Sequence, residues 1–435
     1  MKQPSDIQAL LDDRPASELI ALLPPGSEAP GVTDALALLD ESELGVLAAE
    51  PVAPEQPEAR WEIEVELSVP GRVEPAIAHL WLEPTPKELL DHEIEWRGVT
   101  GADLEEGRDS RWAIGSRLPF AERALSDLHA QARLLAALAR DALLVLDLNA
   151  LVPRAGHWLR EVAAARTPPS PTTLFSIHDV GERDAGPHWL HTHGLDRCGV
   201  IELDALNVPG KDAGLVVQLL SSVATLFLEQ GIPEPDEVFQ AGQDIDLVWL
   251  PWQDGAKKAR RSSPGGRADR DDAHRGARGV LFARRRGLLR QKYESPAVYV
   301  TLLQQNPVLY VSSAETERMA LLASERLPRF FALFDRFGSE ERWMFLVKLG
   351  YRVDAPTSAE DREHLWFRVH AHDRGEVDAT LLNAPYAIRR LREGDRARHS
   401  LELLSDWTIL CKAGRFDADT VRELERAIEH EQRVH

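Results

Sequence analysis

From Trp61 to Leu67 apolar and acidic residues alternate without a break, reading Trp-Glu-Ile-Glu-Val-Glu-Leu. Successive side chains of a strand point to opposite faces, so this run predicts a half-buried strand with one wet face. His92-Glu93-Ile94-Glu95-Trp96 repeats the pattern. The period then changes, because Leu125, Leu128, Ala132, Leu135 and Ala139 fall on one helical stripe. Residues 142–148 form a continuous apolar run that fits a buried strand, and further strands are expected at 173–180, 188–193, 200–206 and 243–250. Residues 211–230 predict a helix that is apolar nearly all round and ends at Gly231. Strands and helices interleave without a strict strand–helix–strand rhythm. The expected fold class is therefore α+β, multi-domain, with mixed or antiparallel sheets and packed helices rather than a doubly wound parallel sheet.

The chain of 435 residues has room for more than one domain at about 100–200 residues each. Residues 1–57 are expected to form an acidic helical appendage. Its apolar runs open after Ser5 and Ser17, Thr33 offers a helix cap, and Pro51, Pro54 and Pro57 make a linker. Residues 58–255 read as an α+β domain. Residues 256–296 read as a basic, largely flexible insertion: thirteen Lys or Arg stand against three Asp between Lys257 and Lys292, in a chain of net charge −20. Ser262-Ser263-Pro264-Gly265-Gly266 and the absence of an apolar period predict a mobile loop at least through Gly279. Residues 297–435 read as a second α+β domain. Its start at 297–311 is expected to be strand-rich, and Ser312 with Glu315 forms a capping box for a helix that Pro328 should kink or split. Strands at 342–351, 364–370, 377–382 and 400–404 follow, then a helix at 418–429. The Gly394-Asp395 turn between strands suits a small curved sheet.

The negative charge argues against nucleic acid or anionic membrane as general partners. Only the basic stretch between Lys257 and Lys292 suits phosphates, and its first part lacks aromatics to stack on bases. The start of the chain has no signal-peptide pattern. The apolar stretch 215–228 is interrupted by Gln218, Ser221 and Ser222 and falls short of the ~18 residues that suggest a membrane span. Two cysteines, Cys198 and Cys411, exclude a disulfide scaffold and suit a reducing compartment. Arginine outnumbers lysine 43 to 8, a bias that fits GC-rich bacterial coding. A bacterial cytoplasmic location, with no membrane contact, is expected.

One passage is dense in polar side chains. It runs through Ser176, His178 and Asp179, then from Pro187 to Gly199, then Glu202. Residues two apart on a strand share a face, so His191 and His193 point the same way with Trp189 beside them. An extended strand can offer two imidazoles to one metal in this manner, with His178 or Glu202 as a third ligand. The competing reading is a structural polar cluster of His178, His188, His191, His193, Arg197 and Glu202, in which His178–Asp179 and Asp196–Arg197 supply local partners. Gly194 and Gly199 then mark turns. The sequence contains no nucleophile elbow, no intact phosphate loop and no correctly spaced metalloprotease pair.

Several separated motifs carry a resemblance. Glu363-His364-Leu365-Trp366-Phe367, residues 378–385, Leu391-Arg392-Glu393-Gly394-Asp395 and Ser405-Asp406-Trp407 resemble the bacterial domain of unknown function 2314, over about residues 312–411. The region from about Trp61 to Trp252, centred on Trp189-Leu190-His191-Thr192-His193-Gly194-Leu195, resembles domain of unknown function 4026. Neither resemblance implies an activity or transfers a catalytic residue.

The sequence thus supports first a non-enzymatic scaffold that binds an unidentified protein partner and needs no cofactor. The alternative is a metal-dependent hydrolase using a divalent ion at His191 and His193. With only those two ligands in convincing geometry, no stoichiometric metal is expected.

Overall fold

A computed structural model describes residues 11–42, 44–90, 99, 101–182, 185–258, 264–271, 274–286, 291–304, 313–356, 361–373 and 375–434. The run after Ser5, the strand expected at His92–Trp96 and the cap at Ser312 lie outside the described residues. The chain divides into two compact units, one of residues 1–164 and 168–311, the other of 165–167 and 312–435. Three mostly antiparallel sheets with packed helices make this a multi-domain α+β fold.

The first unit holds two sheets. Its first is built from β1 (Ser17–Leu22), β2 (Val46–Val52), β3 (Trp61–Leu67), β4 (Ala76–Pro84), β5 (Trp112–Leu118), β6 (Leu144–Asp147) and β7 (Val152–Ala155), in the order β2-β3-β4-β5-β1-β6-β7. In β3 the predicted alternation holds, with Trp61, Ile63, Val65 and Leu67 in the core. Glu62 is nonetheless buried, and its carboxylate takes the amide of Glu55 at 2.8 Å and meets His79 Nδ1 at 3.1 Å. The run opening at Ser17, expected as a helix, is instead a strand between β5 and β6. A short apolar run buried on both faces has no alternation, so periodicity alone cannot separate strand from helix. The proline-bearing stretch read as linker contributes β2, an edge strand, where a missing ladder donor at Pro51 is tolerated. The helix near Thr33 exists as Val32–Asp40, but Gly31 rather than Thr33 stands at its N-cap.

The second sheet comprises β8 (Ser176–Glu182), β9 (Ala185–His193), β10 (Glu202–Pro209), β11 (Phe239–Gly242), β12 (Ile245–Pro251) and β13 (Arg278–Arg286), with β14 (Gln291–Glu294) added to β13. The order is β11-β12-β13-β10-β9-β8; β10 and β13 run parallel and the other neighbours antiparallel. The helix Ala213–Gln230 ends at Gly231, whose φ of 84° is the left-handed conformation glycine supplies at no steric cost. By length and composition Gly210–Gln230 could cross a membrane, with a mean hydropathy of 1.4. It buries Val216, Leu219, Leu220, Val223, Ala224 and Phe227 in the core of this unit.

The basic stretch departs from the mobile loop expected of it. Its described residues include β13, an inner strand, and a docked segment around Arg270. Arg270 is fully buried, 2.9 Å from the Asp204 carboxylate, with its guanidinium 4.9 Å from the Trp189 ring centre and 5.1 Å from that of Trp252. Charge density hid this because it reports hydration of a free chain and says nothing of a buried counter-charge contributed by another strand.

In the second unit β15 (Met344–Arg352), β16 (Arg362–Asp373), β17 (Glu376–Leu381), β18 (Arg396–Ser400), β19 (Leu404–Cys411) and β20 (Gly414–Asp417) form one antiparallel sheet, ordered β18-β17-β16-β15-β19-β20. The helix Ser313–Phe337 passes through Pro328 without ending there, so of the two expected outcomes, kink or split, the split does not occur. The strand expected over 297–311 is, in its described part, a tight turn capped by Ser295 with Pro296 in its first position, then the short helix Val300–Gln304. Residues 401–403, expected in a strand, make one tight helical turn ahead of β19. Trp407 is the packed indole anticipated for Asp406-Trp407, donating to the Ala323 carbonyl at 2.9 Å.

Candidate metal centre

The β8–β9 hairpin sets the site. Its register pairs His178 with His191 and Ser176 with His193. Period two puts Trp189, His191 and His193 on one face of β9, and cross-strand partners share that face. The ring centres are 5.6 Å apart for His178 and His191, 4.8 Å for His178 and His193, and 5.0 Å for His191 and His193. One ligand nitrogen from each of the three lies within 4.8 Å of the others.

A fourth imidazole joins from the basic segment. His274 Nε2 stands 3.2 Å from His191 Nε2, and its ring centre is 5.1 Å from that of His193. Asp271 Oδ1 holds His274 Nδ1 at 2.6 Å. Trp189 stacks on His191 with ring centres 4.2 Å apart, forming a floor. That indole donates to Asp204 Oδ1 at 3.0 Å, and Arg278 donates to the same oxygen at 3.0 Å and to the Thr192 carbonyl at 3.1 Å. Asp204 thus gathers Trp189, Arg278 and Arg270 beneath the histidines.

His191 and His193 are buried, and both are held well below the ordinary imidazole pKa. Burial is the main cause for each; at His191 the neighbouring His193 and Arg278 add to it, while at His193, lowered to about 2, Arg278 and His178 do. Each is neutral near pH 7, the form that ligates metal. Nδ1 of His191 is buried with no hydrogen-bond partner. An unmade hydrogen bond at a buried atom costs about 1–3 kcal/mol.

The other residues singled out by the sequence serve different ends. His188 lies on the opposite face of β9, with Nδ1 2.6 Å from Asp179 Oδ1 and Nε2 2.9 Å from the Glu182 carbonyl. Asp179, expected to serve His178, serves His188. Glu202 is not placed as a ligand: Oε1 accepts the amides of Gly194, Leu195 and Asp196 at 2.6, 2.8 and 3.3 Å, and Oε2 the Thr192 hydroxyl at 2.5 Å. Burial, with the charge of Asp196, pushes its carboxyl up to about 7. The guanidinium of Arg197, expected to pair with Asp196, donates instead to both oxygens of Asp147 at 2.8 and 3.0 Å, and both residues are fully buried. Gly194 and Gly199 take positive φ, 104° and 73°, as turn residues. Burial pushes the Cys198 thiol up to about 12, which makes it a poor nucleophile.

Sequence reasoning missed His274, Asp271, Asp204, Arg270 and Arg278. The Asp271-x-x-His274 spacing, which lets a carboxylate reach the imidazole one turn away, was the only local signal, and it sat inside a stretch that charge marked as solvated.

Three family models match the chain. Protein of unknown function (DUF4026) N-terminal matches residues 78–169, Protein of unknown function (DUF4026) C-terminal residues 177–282, and Uncharacterized protein conserved in bacteria (DUF2314) residues 332–435. Their order is that of the resemblance read from the sequence. The match over 177–282 takes in all four clustered histidines. No curated protein and no solved structure matches the chain.

Proposed function

We propose that this chain, in which two DUF4026 regions precede a DUF2314 region, binds one divalent first-row metal ion at His178, His191 and His193. The observation that carries the reading is the convergence of three imidazole nitrogens within 4.8 Å on one sheet face. Imidazole donors suit zinc, copper, iron and nickel, and an all-nitrogen set with no thiolate favours zinc or its neighbours over softer ions. Metal–nitrogen bonds of about 2.0–2.1 Å require the three nitrogens, which lie within 4.8 Å of one another, to draw in to about 3.3–3.4 Å. The expectation of a metal-free protein rested on two ligands, and the pairing of His178 with His191 in the hairpin supports counting a third. A scaffold role is compatible with this reading, because a metal can hold a fold together as well as act on a substrate.

The test is elemental analysis of protein purified without an affinity tag, followed by titration of metal-stripped protein with zinc. Near one ion per chain, lost in His191→Ala and His193→Ala, is expected. Failure of the wild type to retain or take up any first-row ion would overturn the reading.

A further inference from the structure

A three-imidazole site is chemically ambiguous. Filled by water at its fourth position it can hydrolyse; filled by a protein side chain it is closed and structural. We infer that His274 is the fourth ligand and Asp271 its positioning residue, so that the ion, once bound, is saturated by four imidazoles and fastens the basic segment to the sheet. This rests on the metal-binding reading above and says what that metal does.

Three observations carry it. First, two ligand atoms of a tetrahedral centre with bonds of about 2.0–2.1 Å lie about 3.3–3.4 Å apart, and the Nε2 atoms of His191 and His274 are 3.2 Å apart. Second, Asp271 accepts from Nδ1 of His274 at 2.6 Å. That contact fixes the proton on Nδ1 and turns the Nε2 lone pair toward the cluster, the usual carboxylate–histidine–metal arrangement. Third, the segment is held where it must be. Arg270 donates to the carbonyls of Gly265 at 3.1 Å and His274 at 3.2 Å while its charge meets Asp204. Gly265 has φ of +86°, and an added Cβ there would lie 2.5 Å from Leu206 and 2.7 Å from Trp189, so only glycine lets the chain approach so closely. His274 is thereby delivered to the side of the site where a hydrolytic water would otherwise sit.

Cobalt(II) in place of zinc reports the coordination, since a four-coordinate tetrahedral ion absorbs strongly in the visible and a five- or six-coordinate one weakly. The wild type should show the strong bands. His274→Ala should lower cobalt affinity and shift the bands as water takes the fourth position, and free imidazole should reverse both changes by filling it. Asp271→Asn should lower cobalt affinity about tenfold or more, the usual effect of losing an orienting partner, without abolishing the bands; this variant keeps the test open if His274→Ala folds poorly. If His274→Ala keeps the wild-type bands and affinity while His191→Ala loses both, His274 is no ligand and the inference falls with the three-histidine reading intact. If the wild type binds no cobalt, both fall.

Discussion

His191 and His274 are separated by 83 positions in the chain, yet their Nε2 atoms meet at 3.2 Å. Two imidazoles so placed can share one proton or one metal ion. With either occupant on Nε2, His191 Nδ1 stays buried and unpartnered, so uptake of an ion is what tells the two apart.

Metal should raise thermal stability. A ligand at 100 times its dissociation constant adds about 2.7 kcal/mol to the folded state. Melting curves of metal-stripped wild type should therefore move up by a few degrees on adding zinc, and those of His193→Ala should not. Identical wild-type curves with and without zinc would contradict this.

Asp204 carries two buried arginines, Arg270 and Arg278. Removing one partner of a buried ion pair typically costs about 3–5 kcal/mol, because the remaining charge stays dry and uncompensated. Asp204→Ala should lose stability on that scale in urea unfolding. A loss under about 1 kcal/mol would mean that water reaches the guanidinium groups.

Asp406 in the second unit gives a pH dependence. Burial is the main cause, and the charge of Asp417 adds to it; together they push its carboxyl from an ordinary 3.8 up to about 7, against the opposing hydrogen bond from the Trp407 amide. A raised folded-state value means that the folded chain binds the proton more tightly than the unfolded one. The associated stability is present in full below about pH 4 and is lost as pH rises to 7. The stability of wild type relative to Asp406→Asn should thus fall across that window and level off above it. A constant difference from pH 4 to 8 would show that Asp406 does not titrate there.

Trypsin should distinguish among the arginines of the basic segment. Arg267 and Arg275 are exposed, while Arg270 and Arg278 are buried. Cleavage after Arg267 and Arg275 should precede cleavage after the other two, and zinc should slow all four. Equal rates at the four bonds, read by mass spectrometry, would mean that the segment leaves the sheet as a whole.

What the sequence disclosed was mainly local. The alternation at Trp61–Leu67, the apolar helix ending at Gly231 and the shared face of His191 and His193 each depend on a period of 2 or 3.6 residues, and each appears in the structure. What it concealed was non-local. Ser17–Leu22 became a strand because β5 and β6 flank it. Arg197 found Asp147, 50 positions away, instead of its neighbour. His274 found His191 through a parallel pairing that no local pattern announces. Residue spacing reveals which side chains share a face, but the partner that comes to that face is chosen by the whole chain.

The parallel register of β10 with β13 has a kinetic consequence. Parallel neighbours cannot be joined by a tight turn, and here the crossover between them must form the helix Ala213–Gln230 and the hairpin of β11 and β12. The β8–β9 hairpin, in contrast, closes over a few residues, and contacts of short sequence separation form first. Three of the four imidazoles are therefore expected to come together first, on a nascent hairpin, with the fourth following once the long loop has closed. An ion captured at the early stage would wait, with one coordination position open to water, until the rest of the sheet had assembled around it.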